Sequence, residues 1–182
     1  LKHKYEKVYK DGKEGFFSRF EDGVDISETD NAVWKAIDWS NKTVIDIGCG
    51  TGETASGIAK LGAELVVGVD YSENAIRLAN SRHQENNLEF KVNSFEDIVN
   101  DNINKYDVLL SCGTLEHIFD TPTALWNLVT MLKTDGVLYF AVPASNAIDH
   151  GFYSFSPGLF FDYFNANGFK VLGCYLREGS PL

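Results

Sequence analysis

Two carboxylates bracket a glycine-rich turn in this chain. Asp46 stands two residues before Gly48-x-Gly50-x-Gly52, and Asp70 ends the next apolar run. Glycines at alternate positions let the backbone take positive φ and let a ligand approach the main chain. In a doubly wound sheet such a turn lies at the carboxyl end of a strand. A carboxylate ending the following strand then sits beside it, where it accepts both hydroxyls of a ribose. The constellation therefore reads as an adenosine site, with Asp70 on the ribose. The spacing narrows the ligand further. A dinucleotide turn needs its third glycine three residues after the second, for helix packing near a pyrophosphate; here it comes two residues after. The charge of Asp46 would repel a pyrophosphate and suits a cationic ligand, such as an ammonium beside a sulfonium. The sequence G-x-x-x-x-G-K-[ST] is absent, which argues against a nucleoside triphosphatase.

The elements that must position these residues follow from the apolar pattern. Short strands are expected at 43–47, 64–69, 88–92, 106–111 and 137–142, and helices at 53–61, 73–84, roughly 95–100, and 122–132. Pro122 suits a first helical position, and Ala124, Leu125, Leu128, Val129 and Leu132 form one apolar face. Ser156-Pro157 starts a further helix, 157–166, which Gly168 ends, and a last strand is expected over 169–176. Apolar strands alternating with helices argue for an α/β fold, a mostly parallel sheet covered on both faces in three α/β/α layers. Residues 1–40 form an N-terminal helical segment, with Ser27 as a helix cap and Phe16, Phe17, Phe20, Val33, Trp34 and Ile37 as apolar cover; it serves either as a lid or as packing. Residues 41–182 form the main domain.

Four blocks of this chain, in order and in spacing, resemble the class I S-adenosylmethionine-dependent methyltransferases. Val44-Ile45-Asp46-Ile47-Gly48-Cys49-Gly50-Thr51-Gly52 looks like the family's motif I. Gly68-Val69-Asp70-Tyr71-Ser72 matches its acidic second-strand end, Tyr106 to Ser111 its fourth strand, and Gly136 to Phe140 its fifth. The resemblance implies a Rossmann-like, doubly wound sheet of order 3-2-1-4-5-7-6, and residues after Leu176 are too few for the usual antiparallel seventh strand. It implies S-adenosyl-L-methionine as cofactor and S-adenosyl-L-homocysteine as product. The turn, Cys49 included, would hold the methionine part, and Tyr71 would lie near the adenine. Where the family often has an acid accepting from the adenine amino group, this chain has Ser94, whose hydroxyl also accepts. Phe95 would contribute its backbone there, with its ring on the base or in the core. Ser111 and Cys112 would leave the fourth strand at the methyl end.

Thr114-Leu115-Glu116-His117-Ile118 resembles the L-E-H-[IV] segment of many small-molecule methyltransferases, including the ubiquinone-type O-methyltransferases, in which the Glu and His face cofactor or substrate. His117 is suited to act as a general base, because imidazole titrates near neutrality; alternatively Glu116 and His117 only bond the local turn. Relatives that bind a divalent metal carry an extra acid three residues before this Glu. Gly113 stands there, so no metal site is expected. His150-Gly151-Phe152-Tyr153-Ser154-Phe155-Ser156-Pro157 follows the fifth strand, where the family places acceptor contacts, and it resembles enzymes of polysaccharide and secondary-metabolite pathways. His150 among Phe152, Tyr153 and Phe155 gives a polar group amid aromatics, as an oriented pocket needs, or else these aromatics pack on the sheet.

The bulk numbers agree with one globular domain. The chain has 182 residues, 44% hydrophobic and 13% aromatic, with a net charge of −10, which supplies no basic footprint for nucleic acid. The segment after the fourth strand, Ser111-Cys112-Gly113-Thr114, is neither the N/D-P-P-Y/F of amino-directed DNA methyltransferases nor a Pro-Cys nucleophile. Three scattered cysteines fit a reducing compartment, and the lack of a signal peptide or an 18-residue apolar run points to the cytoplasm. The chain opens on Leu1, as a fragment or the ordered part of a longer protein would. The expected function is methyl transfer to a small-molecule hydroxyl or amine, sugar-like or secondary-metabolite-like. A protein methyltransferase and a catalytically silent cofactor-binding domain are the alternatives. Oligomeric state is not legible.

Overall fold

The computed structural model describes residues 36–95, 97–143 and 151–174. Five strands form one sheet in the order β3-β2-β1-β4-β5, every neighbouring pair parallel. The strands are β1 (Thr43–Ile47), β2 (Leu65–Asp70), β3 (Leu88–Val92), β4 (Tyr106–Cys112) and β5 (Leu132–Ala141). The helices are α1 (Glu53–Lys60), α2 (Glu73–Arg82), α3 (Thr121–Met131) and α4 (Pro157–Ala166). Parallel crossovers carry the chain one way from β1 through β2 to β3 and the other way from β4 to β5. The reversal falls between β1 and β4, and that is where a ligand crevice opens.

Alternate residues of the central strands enter two separate cores, as the period-two pleat requires. Val44, Val66, Val108 and Leu110 face Trp39 and the α1 residues Ala55, Ile58 and Ala59. Ile45, Ile47, Val67, Val69 and Leu109 face Ala124, Leu125, Leu128 and Met131 of α3 and Phe164 of α4. Burial on both sides explains why these strands are apolar without alternation. Each such Val, Ile or Leu contributes about 1.5–3 kcal/mol relative to an exposed one.

Three expected elements differ. No helix forms around 95–100, and the described residues 97–104 run as turns. Side chains there compete for backbone partners: Ser94 Oγ accepts from the Asp97 amide at 3.1 Å, and Asn102 Nδ2 donates to the Ile98 carbonyl at 2.6 Å. Residues 169–174 form no strand, although Phe169 and Val171 pack against the core; their alternation records one-sided burial, which extended chain achieves without a ladder. The fifth strand begins earlier than expected, with Leu132 opposite Tyr106. The register then jumps so that Val137 lies opposite Val108, and Asp135 takes φ 67° in the bulge. The expected cap at Ser27 and the aromatics Phe16, Phe17, Phe20, Val33 and Trp34 of the N-terminal segment lie outside the described residues. Ile37 packs beside Trp39 on the α1 core.

At the amino ends of the strands one carboxylate ties three of them together. Asp107 Oδ2 accepts from the Thr43 amide at 2.8 Å, the Thr43 hydroxyl at 2.7 Å and Lys133 Nζ at 2.9 Å. Burial pushes the Asp107 carboxyl up, but the Thr43 donors and Lys133 outweigh it and hold it well below the usual carboxylate range. A folded-state value below the unfolded one gives stability that is present above the unfolded pKa, near 4, and lost as pH falls below it. Asp107→Asn is therefore expected to lower unfolding free energy at pH 7 by about 1–3 kcal/mol. In urea titrations the difference from wild type should shrink steadily below pH 4; a difference independent of pH contradicts the assignment.

Candidate active site

The glycine turn wraps the end of β2. The amides of Gly48 and Cys49 both donate to the Val69 carbonyl, at 2.8 and 3.0 Å, and the Gly50 amide donates to Asp70 Oδ2 at 3.0 Å. Asp70 Oδ1 accepts from the Ser72 amide at 2.9 Å, and Ser72 caps α2 through the Ala75 amide at 3.2 Å. One buried carboxylate thus fixes the turn after β1 and the start of the helix after β2. Gly48 and Gly52 are required sterically as well as by their φ of 79° and 90°. A Cβ on Gly48 would collide with the Thr114 hydroxyl, and one on Gly52 would press on the Phe90 ring, its Cε1 only 2.7 Å away. Gly68, in mid-strand, leaves room for the same ring and for Cys49 Sγ.

Asp46, near the carboxyl end of β1, is buried with little compensation. It is 3% exposed, and its Oδ2 finds no hydrogen-bond partner among the described residues. Burial, then the charge of Asp70, then that of Glu53 push its carboxyl up to about 7. Cys49 is buried beside it, and burial together with the same carboxylates holds its thiol well above the ordinary range. Ser111, at the end of β4, is fully buried, and its Oγ also lacks a partner among the described residues. These two orphaned buried oxygens lie near the carboxyl ends of the adjacent strands β1 and β4, where the strand order reverses, and buried polar atoms without a partner are a reason to look for a polar ligand there. The donor set, three carboxylates and a hydroxyl with open glycine backbone, suits a ligand that is cationic at one end and carries hydroxyls.

Beyond β4 a single 3-10 turn, Leu115–His117, presents the Glu–His pair. Glu116 is 1% exposed, and its Oε1 lies 3.8 Å from His117 Nε2, ion-pair range when the imidazole is protonated. The segment after β5 docks on this turn. The Phe152 amide donates to the Glu116 carbonyl at 2.6 Å, and the Tyr153 hydroxyl donates to the Phe119 carbonyl at 2.9 Å. Gly151, at φ 74°, lies so close that a Cβ would come within 2.7 Å of the Glu116 carbonyl oxygen. The Phe119 and Phe152 rings meet edge-on at 6.0 Å. The two stretches on which an acceptor would depend are therefore one surface.

Other candidates fall out differently. Tyr71 follows Asp70 at the rim and is half-buried. Ser94 spends its hydroxyl on Asp97, donating to Oδ2 at 2.7 Å. Phe95, half-buried, packs against the core formed with α3, and Phe155 is buried there as well. Cys112 is half-buried at the mouth of β4. His150 lies outside the described residues. Sequence reasoning missed the residues that hold the turn from behind. Thr114 Oγ1 donates to the Ile47 carbonyl at 3.3 Å, Arg82 reaches Glu53 at 3.0 Å, and His83 Nε2 donates to the Thr51 carbonyl at 3.1 Å. None has a local signature; each acts through the topology.

A family model described as a methyltransferase domain matches residues 38–152. The chain belongs to that family, the class I S-adenosylmethionine-dependent methyltransferases, and carries its α/β Rossmann-like fold. Among curated proteins it is 32% identical over 106 residues to a ubiquinone biosynthesis O-methyltransferase of Actinobacillus pleuropneumoniae, covering 55% of this chain and 45% of that protein. It is 29% identical over 112 residues to the protein of the same name from Neisseria meningitidis, covering 60% and 47%. The chain thus spans about half the length of these relatives. A solved phosphoethanolamine N-methyltransferase 1 from Haemonchus contortus, in complex with phosphoethanolamine and S-adenosylhomocysteine, superposes with TM-score 0.68 at 15% identity, over 91% of this chain and 40% of that one, a likeness of fold. No helix among the described residues is long and apolar enough to cross a membrane.

The raised Asp46 carboxyl has a consequence for stability. A folded-state pKa above the unfolded one means the folded protein binds the proton more tightly, so stability is lost as pH rises from about 4 through about 7. Asp46→Asn should therefore unfold at higher urea than wild type at pH 8 in the absence of ligand, by about 1–4 kcal/mol, with the gain gone near pH 4. Gly48→Ala should lose about 1–3 kcal/mol at both pH values, through backbone strain and the Thr114 collision. An Asp46→Asn protein no more stable at pH 8 than at pH 4, relative to wild type, contradicts the first expectation.

Proposed function

We propose that the chain transfers a methyl group from S-adenosyl-L-methionine to a hydroxyl or amine of a small molecule, a sugar-like or secondary-metabolite-like acceptor. The observation that carries this reading is the docking of 151–155 onto the Glu116–His117 turn, directly beyond Ser111 and Cys112 at the end of β4. The cofactor supplies an electrophilic methyl on a sulfonium. In this reading Asp70 accepts the ribose hydroxyls, and Gly48, Cys49, Gly50 and Gly52 with Asp46 border the methionine part. Tyr71, Ser94 and Phe95 lie toward the adenine. Ser94 contributes there through its backbone, since Asp97 holds its hydroxyl, and the ring of Phe95 stays in the core. Ser111 and Cys112 border the methyl end.

Methyl transfer asks the protein to align acceptor and methyl and to exclude water. An acceptor hydroxyl must also lose its proton. His117 is the base in this account, and the buried Glu116 carboxylate 3.8 Å away stabilises the imidazolium that forms. His150 is proposed as a second polar contact to the acceptor. The named activity of the curated relatives, O-methyl transfer, favours a hydroxyl over an amine.

Labelled methyl transfer to a panel of small phenols, sugars and amines tests the reading. Turnover of at least one hydroxyl compound is expected. His117→Ala should reduce the rate roughly a hundredfold while leaving S-adenosylhomocysteine affinity within about twofold. Unchanged turnover in His117→Ala removes it as the base. Tight NAD binding without S-adenosylhomocysteine binding would overturn the proposal as a whole.

A further inference from the structure

The connection from α2 to β3, residues 82–87, runs as a strap along α1 and the glycine turn before it. Arg82 Nη1 lies 3.0 Å from Glu53 Oε1 in the first turn of α1, and Glu53 Oε2 accepts from the Thr51 hydroxyl at 2.6 Å. Glu85 Oε1 accepts from the buried Ser56 hydroxyl at 2.9 Å and lies 3.0 Å from Lys60 Nζ. Asn87 Nδ2 donates to the Ala59 carbonyl at 3.0 Å and to the Ala63 carbonyl at 2.7 Å, closing the far end of the helix. Within this strap His83 is the residue that reaches the main chain of the turn: its Nε2 lies 3.1 Å from the Thr51 carbonyl. A carbonyl only accepts, so Nε2 carries the hydrogen.

The Thr51–Gly52 peptide is thereby held at both ends. Its carbonyl accepts from His83, and its amide donates to the Cys49 carbonyl at 3.0 Å. The hold matters because Gly50 and Gly52, at φ 55° and 90°, flank Thr51, and neither has a Cβ to restrict rotation of the linking peptides. His83 is itself firmly placed. Its amide donates to the Ala79 carbonyl at 3.0 Å, and its ring lies tilted against Phe90 with centroids 6.1 Å apart. The same Phe90 ring, with Ala79, occupies the space that a Cβ on Gly52 would need. We propose that His83 is a positioning residue for the methyl donor: its Nε2–H pins the Thr51–Gly52 peptide and keeps the glycine turn in its binding shape before the ligand arrives. This rests on the assignment of that turn to the methionine part of S-adenosylmethionine. A protein whose binding shape is only partly populated loses affinity by that fraction. Freeing this peptide therefore weakens donor and product alike, because both carry the same amino-acid part.

Calorimetric titration of the full chain with S-adenosylmethionine and with S-adenosylhomocysteine, in wild type and in variants of His83, tests this. Glutamine places an amide N–H as many bonds from the backbone as the imidazole Nε2; asparagine falls one bond short, and alanine has no donor. His83→Ala and His83→Asn should weaken both ligands about tenfold and to the same extent, whereas His83→Gln should stay within about threefold of wild type. The comparison of Gln with Asn separates the hydrogen bond from the lost contact with Phe90, since both variants lack the ring. In the ligand-free wild type, the Gly52 amide should exchange its hydrogen at least about a hundredfold more slowly than an unstructured amide. That measurement reads the pre-set turn even where a variant fails to fold. Affinities within about twofold of wild type in His83→Ala, a His83→Gln protein as weak as His83→Asn, a loss confined to one of the two ligands, or a Gly52 amide that exchanges freely until ligand is added each overturn the inference and leave the cofactor assignment standing. A wild-type chain that binds neither ligand overturns the assignment and the inference with it.

Discussion

The structure depends on a carboxylate placed where two loops meet. Asp70 ends β2 and accepts from the Gly50 amide of the first turn and from the Ser72 amide that opens α2. Without it, two backbone donors, the Gly50 and Ser72 amides, would lose this partner, each at a cost of about 1–3 kcal/mol. The same side chain is the group proposed for the ribose, so the interaction that shapes the site is also the one that would read the ligand. Asp46 is its counterpart. It sits at the end of the adjacent strand, paired in register with Gly68, and is left short of donors. One acid is satisfied by the fold and the other is left short of donors, an asymmetry that supports the proposed binding of a cation.

The proposed acceptor side is built by a different device. The Glu116–His117 turn is held on the sheet side by Leu115, buried in the core, and by Thr114 Oγ1 on the Ile47 carbonyl, and on the other side by the chain following β5. The Phe152 amide, the Tyr153 hydroxyl and the close approach of Gly151 bind 151–155 to 116–119. Phe155, buried in the core below and bonded through its amide to the Pro143 carbonyl at 2.9 Å, anchors the segment. The outer aromatics Phe119 and Phe152 remain exposed above it. A rigid base carrying an adaptable aromatic rim is a reasonable architecture for a family that keeps its donor and changes its acceptor.

The sheet was legible because its central strands are apolar on both faces and β1, β2 and β4 end at a glycine or a carboxylate; Thr43, Leu88 and Tyr106 begin strands where the pattern put them. The residues of the candidate donor site carried the same kind of signal: Gly48, Gly50, Gly52 and Asp70 are local features at strand ends, and the structure brings the turn and Asp70 together. What escaped was non-local or competitive. Thr114 explains Gly48 from 66 residues away in sequence, and Phe90 explains Gly52 and Gly68 from another strand. The expected helix near 95–100 lost to Ser94, Asp97 and Asn102, whose side chains take the backbone's partners. Ser94 could be aligned with an adenine contact, but not seen to be committed to Asp97. Phe155 carried the same aromatic signal as Phe152, and only packing separates the core ring from the rim ring.

The central claim is that the turn from Asp46 to Gly52, with Asp70, holds the methionine and ribose of the methyl donor. A crystal structure of the chain with S-adenosylhomocysteine tests it most directly. The account predicts both ribose hydroxyls within hydrogen-bond distance of the Asp70 carboxylate and the methionine part along the Gly48–Gly52 backbone. A nucleoside bound away from Asp70, or a ligand whose methionine part lies off that turn, would contradict it.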